Sequence, residues 1–226
     1  MMANEPRLVQ VRRNVLKHND TVARALRDSF RQAGLTVVSL VSSPGSGKTT
    51  FLEKTLTLLR PKYRVAALVG DLATENDAQR LARSGALVKQ ITTGTVCHLE
   101  AEMVRTALEG WNLVELDFLF LENVGNLVCP SSYDLGEELR LVLLSVTEGE
   151  DKPLKYPTIF NSADVAVVTK TDLAAAVEFD WPAVARNIQR VRPGMRVLQV
   201  SAKTGAGMDE WLSLLGSLKA GAGPRA

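Results

Sequence analysis

Seven short apolar runs alternate with amphipathic, charge-bearing stretches along most of this chain. Several runs are nearly continuous in Val, Leu and Ile, which is typical of strands buried on both faces of a parallel sheet. The stretches between most of them, such as 51–60, 75–85 and 181–191, have the pattern of helices. The alternation predicts an α/β fold, a doubly wound and mostly parallel sheet with helices on both faces. The runs lie at 35–41, 64–70, 87–92, 116–122, 139–146, 164–170 and 196–201.

The composition excludes several kinds of partner. The chain carries 27 Lys and Arg against 25 Asp and Glu, and this net charge of +2 is too small to indicate binding to nucleic acid or to an anionic membrane. No apolar run approaches the roughly 20 residues that a membrane-spanning helix needs. The opening segment, MMANEPRLVQVRR, lacks the apolar core of a secretory signal, so we expect a cytoplasmic protein.

A glycine-rich segment, SSPGSGKTT at 42–50, follows the first apolar run. It matches the phosphate-binding loop G-x-x-x-x-G-K-[ST] except that Ser42 replaces the first glycine, which a negative φ would allow. Glycines let backbone N–H groups turn towards an anion, Lys48 is a point charge for the β- and γ-phosphates, and the Thr49 hydroxyl is a ligand for Mg²⁺. An ordinary glycine-rich turn is the alternative. The expected phosphate-binding residues are Gly45, Ser46, Gly47, Lys48, Thr49 and Thr50.

Two carboxylates end apolar runs that are expected to be neighbouring strands. Asp71 lies in VGDLATEND and Glu122 in LFLENVGN, and each could reach Mg²⁺, in part through water, or position a nucleophilic water. ENVG at 122–125 has the spacing of the D-x-x-G loop that senses a γ-phosphate. A helix N-cap for Asp71 and a surface carboxylate for Glu122 are the alternatives. The expected catalytic residues are Lys48, Asp71 and Glu122, and the expected Mg²⁺ ligands are Thr49, Asp71 and Glu122.

The segment TKTD at 169–172 matches the [NT]-K-x-D signature that selects guanine. Asp172 would accept hydrogen bonds from guanine N1–H and N2–H₂, and adenine lacks that amine. A Lys/Asp turn after a strand is also common, but SAK at 201–203 ends the last run, where such proteins place a backbone N–H against guanine O6. GTP and GDP are therefore favoured over ATP, and a chromosome-partitioning type of ATPase would leave both segments unexplained. The expected base-binding residues are Lys170, Asp172, Ser201, Ala202 and Lys203.

Cys97 and His98 are adjacent, and Cys129 lies just past the ENVG segment. If the runs at 87–92 and 116–122 deliver their loops to the same edge of the sheet, the three side chains could meet. Thiolate and imidazole donors suit Zn²⁺ or Ni²⁺. Three ligands are one short of a closed tetrahedral site, which suits handing a metal on. The alternative is a pair of free buried thiols, as in reduced cytoplasmic proteins, with a helix-capping histidine.

Five segments of the chain form a distinctive combination: SSPGSGKTT, GDLATENDA, TGTVCHLEAEMV, LENVGNLVCP and SVTEGEDKPLKYP. Together they resemble the hydrogenase nickel-incorporation GTPases, the HypB family, over about residues 10–215. The family is a branch of the dimerising P-loop GTPases, the SIMIBI type, which also includes the urease accessory GTPase. The phosphate-binding loop of this family normally has the sequence SSPGSGKT, so a serine at position 42 is usual within the family.

The resemblance implies a homodimer promoted by GTP and Mg²⁺, with Cys97, His98 and Cys129 at or near its interface. Hydrolysis would be coupled to delivery of nickel into the hydrogenase large subunit, together with a small nickel-binding accessory protein. Lys155 would reach a nucleotide across the dimer.

The chain departs from this family at its histidines. Many relatives carry a histidine where this chain has Glu102, and some carry an N-terminal cysteine motif or a histidine-rich tract that this sequence does not show. The other histidine, His18, is expected on the surface of the first helix. We therefore expect one metal site per chain, or one shared between chains, and no metal reservoir.

The first part of the chain is predicted to be a helix over 8–33, because Val22, Leu26 and Phe30 recur at i+4 and Gly34 provides a stop. The division that we expect is 1–34 as an N-terminal helix of the same domain, 35–218 as the P-loop GTPase domain, and 219–226 as a flexible tail.

Two hypotheses stay open beside nickel delivery. GTP could be only a conformational latch on a metal carrier, or the chain could serve another metalloenzyme, such as urease or a cobalamin-dependent mutase, although ENVGNLVCP speaks against the latter. No arginine finger or catalytic glutamine is evident, so we expect slow intrinsic hydrolysis.

Overall fold

A computed structural model describes residues 7–71 and 76–221 of the chain, with side chains from residue 14 onwards. These residues form a seven-stranded sheet in which all strands are parallel, in the order β3-β2-β4-β1-β5-β6-β7. Each predicted apolar run forms one of these strands, so the predicted fold class is confirmed. The strands are β1 (Thr36–Ser42), β2 (Val65–Asp71), β3 (Leu87–Thr92), β4 (Phe118–Glu122), β5 (Leu139–Ser145), β6 (Val165–Thr169) and β7 (Arg196–Gln199).

The α-helices of the described ranges lie between or beside these strands. The helices are α1 (Arg7–Gln32), α2 (Lys48–Leu59), α3 (Asn76–Ala82), α4 (Ala101–Ala107), α5 (Lys152–Lys155), α6 (Pro157–Ser162), α7 (Trp181–Val191) and α8 (Met208–Gly221). After α1, Gly34 takes the left-handed φ of 63° that is common at a helix stop. No helix among the described residues is both long and apolar enough to cross a bilayer.

Helices cover both faces of the sheet, and the strands divide their side chains between two cores. Phe118 and Phe120 of β4 pack with α2 and α8 around Trp211. Leu119 and Leu121, the residues that alternate with them, pack with α1 and α4. Successive residues of a strand point to opposite faces, which explains why the central strands are apolar at almost every position. A third cluster packs α6 and α7 against β5 and β6.

The two ends of the described chain are held against this body. Ala23, Leu26 and Phe30 of α1 lie in the same core as α4. At the other end α8 continues to Gly221, so residues 219–221 are helical where the sequence predicts a flexible tail. Lys219 Nζ donates a hydrogen bond to the carbonyl oxygen of residue 34 at 2.6 Å, which anchors the last turn. The rest of the predicted tail, 222–226, lies outside the described residues.

The parallel strands end at one edge of the sheet and gather there the residues that follow them. The register pairs Glu122 with Val69 of β2 on one side and with Leu40 of β1 on the other. Asp71, Glu122 and Ser42 therefore end three adjacent strands. In open α/β sheets this is the edge at which ligands bind.

Candidate nucleotide and metal site

The loop between β1 and α2 has the backbone of a phosphate cradle. Gly45 and Gly47 have φ values of 75° and 91°, in the left-handed region that favours glycine. Ser42 is not among the non-glycine residues of positive φ in the described ranges, so its position does not require glycine. Its hydroxyl accepts a hydrogen bond from Lys48 Nζ at 2.9 Å, which holds the ammonium against the start of the loop. Burial lowers the pKa of Lys48.

Glu122 is a buried carboxylate at the end of β4. The residue is 3% exposed, and its Oε1 accepts a hydrogen bond from Thr49 Oγ1 at 2.6 Å. Its Oε2 is buried and has no hydrogen-bond partner in the described part of the chain. Burial raises the pKa of Glu122 to about 7, against the opposing effect of the Lys48 ammonium. An unpaired carboxylate oxygen beside a threonine hydroxyl is a set of hard oxygen donors that fits Mg²⁺.

Asp71 lines the same pocket from the end of the neighbouring strand, together with the phosphate loop and Glu122. The next helix, α3, begins at Asn76, five residues later, so Asp71 is not its N-cap residue. The pocket thus has two carboxylates on adjacent strands facing the loop that carries Lys48. This is the arrangement that a magnesium–triphosphate site requires.

Two charged residues of α3, Asp77 and Arg80, also line the phosphate pocket. Asp77 lies in the GDLATENDA segment, which assigns it no role, and no motif marks Arg80. Arg80 donates hydrogen bonds to Thr50 Oγ1 and to Glu53 Oε2, both at 2.9 Å. Only the chain topology could have indicated these two residues from the sequence. The helix α3 follows β2 at the carboxyl edge of the sheet, where the start of a helix faces the ligand crevice. A cation in this position adds to the positive charge around the phosphate loop.

A second pocket adjoins the phosphate loop on the β6 side. Lys170 follows β6 with a φ of 56°, and its Nζ donates a hydrogen bond to the carbonyl oxygen of Gly45 at 2.7 Å. Asp172 Oδ1 accepts a hydrogen bond from Ser201 Oγ at 2.6 Å, which joins the TKTD and SAK segments. The pocket has a carboxylate and apolar walls, as a purine site requires. The lining residues include Gly47, Phe51, Lys170, Asp172, Leu173, Ala202 and Lys203.

Cys97, His98 and Cys129 come together at the same edge of the sheet. The two sulfur atoms lie 3.0 Å apart, and one donor atom from each of the three residues lies within 4.8 Å of the others. Both cysteines are free and half-buried, which differs from a pair of separately buried thiols. The hydrogen bond with the Cys97 thiol raises the pKa of Cys129. The soft donors needed for Ni²⁺ or Zn²⁺ are therefore adjacent.

The imidazole of His98 is held in a form suited to metal binding. The residue is 8% exposed, and its ring centroid lies 3.9 Å from that of Tyr133, with an interplanar angle of 37°. Its Nε2 lies 3.4 Å from Glu100 Oε1, and neither ring nitrogen has a well-formed hydrogen bond within the described residues. Burial lowers the pKa of His98, which favours the neutral ring that can donate a lone pair. The ring caps no helix in the described part of the chain, because neither of its nitrogens has a hydrogen-bond partner there.

Two contacts join the nucleotide pocket to the loop that bears Cys97 and His98, here called the metal loop, and a third packs the ENVG segment on the phosphate loop. Asn123, which follows the β4 carboxylate, is buried, and its Oδ1 accepts the N–H of Leu99, the residue after the metal-loop histidine, at 2.9 Å. Leu99 packs on Gly70, where an added Cβ would lie 2.7 Å from it. Gly125 of ENVG packs against Pro44 of the phosphate loop, where a Cβ would lie 3.0 Å from the proline backbone. The two halves of the site are in direct contact.

Three residues singled out by the family resemblance lie outside both pockets. Lys155 is exposed on α5 and pairs with Asp151 at 2.6 Å. Glu102 is half-buried on α4 and pairs with Arg105 at 2.5 Å, whereas His18 is exposed on α1. The grouping of potential metal donors within the described residues comprises Cys97, His98 and Cys129 and includes neither His18 nor Glu102.

A phosphate loop, carboxylates on adjacent strands and a pocket with the guanine signature define a P-loop GTPase. The family model described as CobW/HypB/UreG, nucleotide-binding domain, matches residues 36–199. The hydrogenase maturation factor HypB of Azotobacter chroococcum mcd 1 is 47% identical over 210 residues, which are 93% of this chain and 69% of that protein. The chain belongs to the CobW/HypB/UreG family and, within it, to the HypB hydrogenase maturation factors.

Two further likenesses agree with this assignment. The hydrogenase/urease maturation factor HypB of Helicobacter hepaticus is 43% identical over 210 residues, which are 89% of this chain and 86% of that protein. The crystal structure of HypB from Helicobacter pylori in complex with nickel has a TM-score of 0.84 and 41% identity, and the match covers 89% of this chain and 95% of that chain. The resemblance carried by the five sequence segments is confirmed.

The raised pKa of Glu122 predicts a pH-dependent stability of the free protein. The folded carboxyl keeps its proton up to about pH 7, whereas the unfolded one loses it near pH 4.5, so this group's contribution is complete below pH 4.5 and is lost as the pH rises through 7. Glu122→Gln keeps the acceptor for the Thr49 hydroxyl. We expect it to match wild type near pH 4.5 and to exceed it by roughly 3 kcal/mol at pH 8 in urea denaturation without nucleotide or metal. Glu109→Gln, an exposed control, should show no such difference, and an equal effect at both pH values would contradict the prediction.

Proposed function

We propose that this chain is a GTP-hydrolysing metallochaperone whose GTP- and Mg²⁺-dependent dimer cycle is coupled to the insertion of nickel into the hydrogenase large subunit. The observation that carries this proposal is the buried bond between the N–H of Leu99 and Asn123. It joins the ENVG segment, at the phosphate pocket, to the loop that bears Cys97 and His98. A movement of ENVG in response to the γ-phosphate would therefore displace the loop that bears the metal ligands. Free, adjacent thiols suit a reducing compartment, so we propose a cytoplasmic location.

At the nucleotide, Lys48 neutralises charge on the β- and γ-phosphates, and the backbone of the loop binds their oxygens. Thr49, Asp71 and Glu122 would hold Mg²⁺, and the Oε2 of Glu122, which has no hydrogen-bond partner among the described residues, supports this assignment. Bound there, Mg²⁺ supplies Lewis-acid stabilisation of the phosphate charge. The remaining task of Asp71 and Glu122 is to orient the attacking water. The other proposed phosphate-binding residues are Gly45, Ser46, Gly47 and Thr50.

Guanine is recognised at the second pocket. Asp172 accepts hydrogen bonds from the N1–H and N2–H₂ groups, and the bond from Ser201 to its Oδ1 supports this role by fixing the carboxylate. The stem of Lys170 packs over the base. The backbone of residues 201–203, Ser201, Ala202 and Lys203, faces guanine O6.

Nickel is the proposed cargo of Cys97, His98 and Cys129, and Zn²⁺ fits the same donors. The fourth position is then filled by water, by an exchangeable ligand or by a second copy of the chain. An incomplete, half-exposed set of ligands favours transfer over storage. The proposed partners are the small nickel-binding accessory protein that supplies the metal and the hydrogenase large subunit that receives it.

Two observations support a dimer that includes this site. Val128 is 62% exposed directly beside Cys129, so it offers an apolar contact to a second copy. Glu148 accepts a hydrogen bond from Ser43 of the phosphate loop and pairs with Lys152 of α5. The short helix that carries Lys155 is thus tied to the nucleotide loop, in keeping with its proposed reach to the partner's nucleotide.

A second candidate function is the maturation of urease in addition to a hydrogenase. The relative from Helicobacter hepaticus carries both enzymes in its name, at 43% identity. Deletion of the gene in its own host, followed by assays of each nickel enzyme, separates the two. The latch hypothesis makes a different prediction, because a variant that binds GTP without hydrolysing it would then still mature hydrogenase.

Loss of the phosphate-site charges should abolish hydrolysis. Lys48→Ala removes the buried ammonium and Asp71→Ala removes a carboxylate of the pocket, so each should lower kcat for GTP at least about 100-fold. Lys62→Ala, which removes an exposed lysine beyond the end of α2, should leave kcat unchanged. Steady-state phosphate release at saturating GTP measures the effect. Wild-type rates in both site variants would overturn the catalytic assignment.

The guanine assignment predicts an exchange of base specificity. Asp172→Asn places an amide donor where guanine also presents donors, so GTP binding should weaken at least about 100-fold. Xanthine carries a carbonyl at C2 in place of the amine, so xanthosine triphosphate should bind the variant better than it binds wild type. Competition against a fluorescent guanine nucleotide measures both effects. Asp209→Asn, at an exposed position of α8, is the control, and undiminished GTP binding by Asp172→Asn would refute the assignment.

Metal titration tests the proposed coupling. Cys97→Ser and Cys129→Ser should each weaken Ni²⁺ binding at least about 100-fold, because each removes a ligand, whereas His18→Ala should not change it. In wild type, Ni²⁺ affinity should differ between GDP and a non-hydrolysable GTP analogue by a factor of about 5 or more. Sedimentation of the same samples should show dimers only with the analogue and Mg²⁺. Equal affinities in both nucleotide states would exclude coupling.

A further inference from the structure

The first helix carries a buried polar residue, Asn19, whose hydrogen bonds both leave the helix. The residue is 4% exposed. Its Nδ2 donates to the carbonyl oxygen of Asp134 at 2.8 Å, and its Oδ1 accepts from the N–H of Ala101 at 2.9 Å. The partners are 115 and 82 residues away along the chain. One amide side chain therefore joins α1 to two separate backbone segments.

The first of these segments follows Cys97 and His98. Ala101 is the first residue of α4, three residues after His98. The N-cap residue, Glu100, makes no capping bond with its side chain. The first N–H groups of a helix have no partner within it, and here a side chain from another helix supplies one. Asn19 thus fixes the point at which the metal loop enters α4.

The second segment follows Cys129. Asp134 lies five residues after that cysteine and next to Tyr133, whose ring stacks on His98. The carboxylate of Asp134 is in turn bound by Arg27 of α1, at 2.6 Å and 2.7 Å. The same helix therefore holds this segment through both the backbone and the side chain of one residue.

We propose that Asn19 is a positioning residue of the metal site: it holds the segments after His98 and after Cys129 in register, and so sets the spacing of the two sulfur donors for Ni²⁺. The inference rests on the proposed metal-carrying function. Partners that orient metal ligands typically change metal affinity about 10-fold to 100-fold when they are removed. Asn19 acts through the backbone, so we expect an effect at the lower end of that range.

A purely structural role for Asn19 is the competing explanation, and the variants are chosen to separate the two. Asn19→Ala loses both bonds. Asn19→Asp keeps the volume and the acceptor for the Ala101 N–H, but it sets a carboxylate against the carbonyl of Asp134. Trp211→Phe is the control for destabilisation, because it removes a buried hydrogen bond to Thr55 in the core on the opposite face of the sheet.

The first measurement is titration of the full chain with NiSO₄, followed by the thiolate-to-nickel absorption band, with GDP affinity as a check on folding. Asn19→Ala and Asn19→Asp should bind Ni²⁺ about 10-fold more weakly than wild type and bind GDP equally well. Trp211→Phe should resemble wild type in both. Wild-type Ni²⁺ affinity in the two Asn19 variants, or the same loss in Trp211→Phe, would overturn the proposal.

The second measurement needs no metal. Diamide oxidises the two thiols to a disulfide. The two protons and two electrons that the thiols lose reduce the N=N bond of diamide to a hydrazine. Sulfur atoms 3.0 Å apart should react rapidly, and Asn19→Ala should slow the reaction at least about 3-fold relative to Trp211→Phe, because the effective concentration of one thiol at the other falls. If Asn19→Ala leaves the rate of diamide oxidation unchanged, and Cys97→Ser still weakens Ni²⁺ binding, the positioning role fails and the proposed function stands. If the rate falls but Ni²⁺ does not bind through Cys97, the proposed metal function fails and the positioning of the thiols stands.

Discussion

The two-residue alternation of strand β4 decides how the site is built. Phe118 and Phe120 face α2, so Glu122, next in the same series, also faces α2 and meets Thr49. Asn123 belongs to the alternate series, which faces α1 and α4, and it meets the metal loop at Leu99. Adjacent residues at the end of one strand therefore face the candidate nucleotide pocket and the candidate metal loop. A one-residue slip in the register of β4 would exchange these two roles and disable both.

The sequence predicts most of the fold because strands buried on both faces leave an unmistakable pattern. Every position of β4 and β5 is buried, and a run of that kind has few other ways to fold. Parallel pairing then brings all carboxyl ends to one edge, so residues that follow the runs, such as Glu122, Asp172 and Cys129, could be predicted to gather there. The extent of α8 could not, because Lys219 is fixed by a carbonyl near the start of β1, a contact that no local pattern encodes.

The residues that sequence reasoning missed share one property, which is that their roles depend on contacts far along the chain. Arg80 has the spacing of an ordinary amphipathic helix, and only the packing of α3 beside α2 brings it to Thr50. Asn19 is similar, because sequence reasoning assigns an asparagine in a helix to the surface. Its buried role is apparent only from its partners, which lie 82 and 115 residues away. The cysteine pair was easier to predict because ligand types are rare. Their 3.0 Å separation, however, depends on the order of the strands.

The size of the link between nucleotide and metal limits what one chain can achieve alone. A single buried hydrogen bond such as that from Leu99 to Asn123 contributes a net of about 0.5–1.5 kcal/mol, so making or breaking it changes an affinity by a factor of roughly 2 to 13. Linkage is reciprocal, so through this bond the metal can alter GTP affinity by no more than the same factor. An effect of 100-fold or more would need about 2.7 kcal/mol, which this bond does not supply. A tight switch therefore requires differential contacts beyond this bond, and in the proposed dimer the exposed Val128 beside Cys129 is where a second copy of the chain would add them.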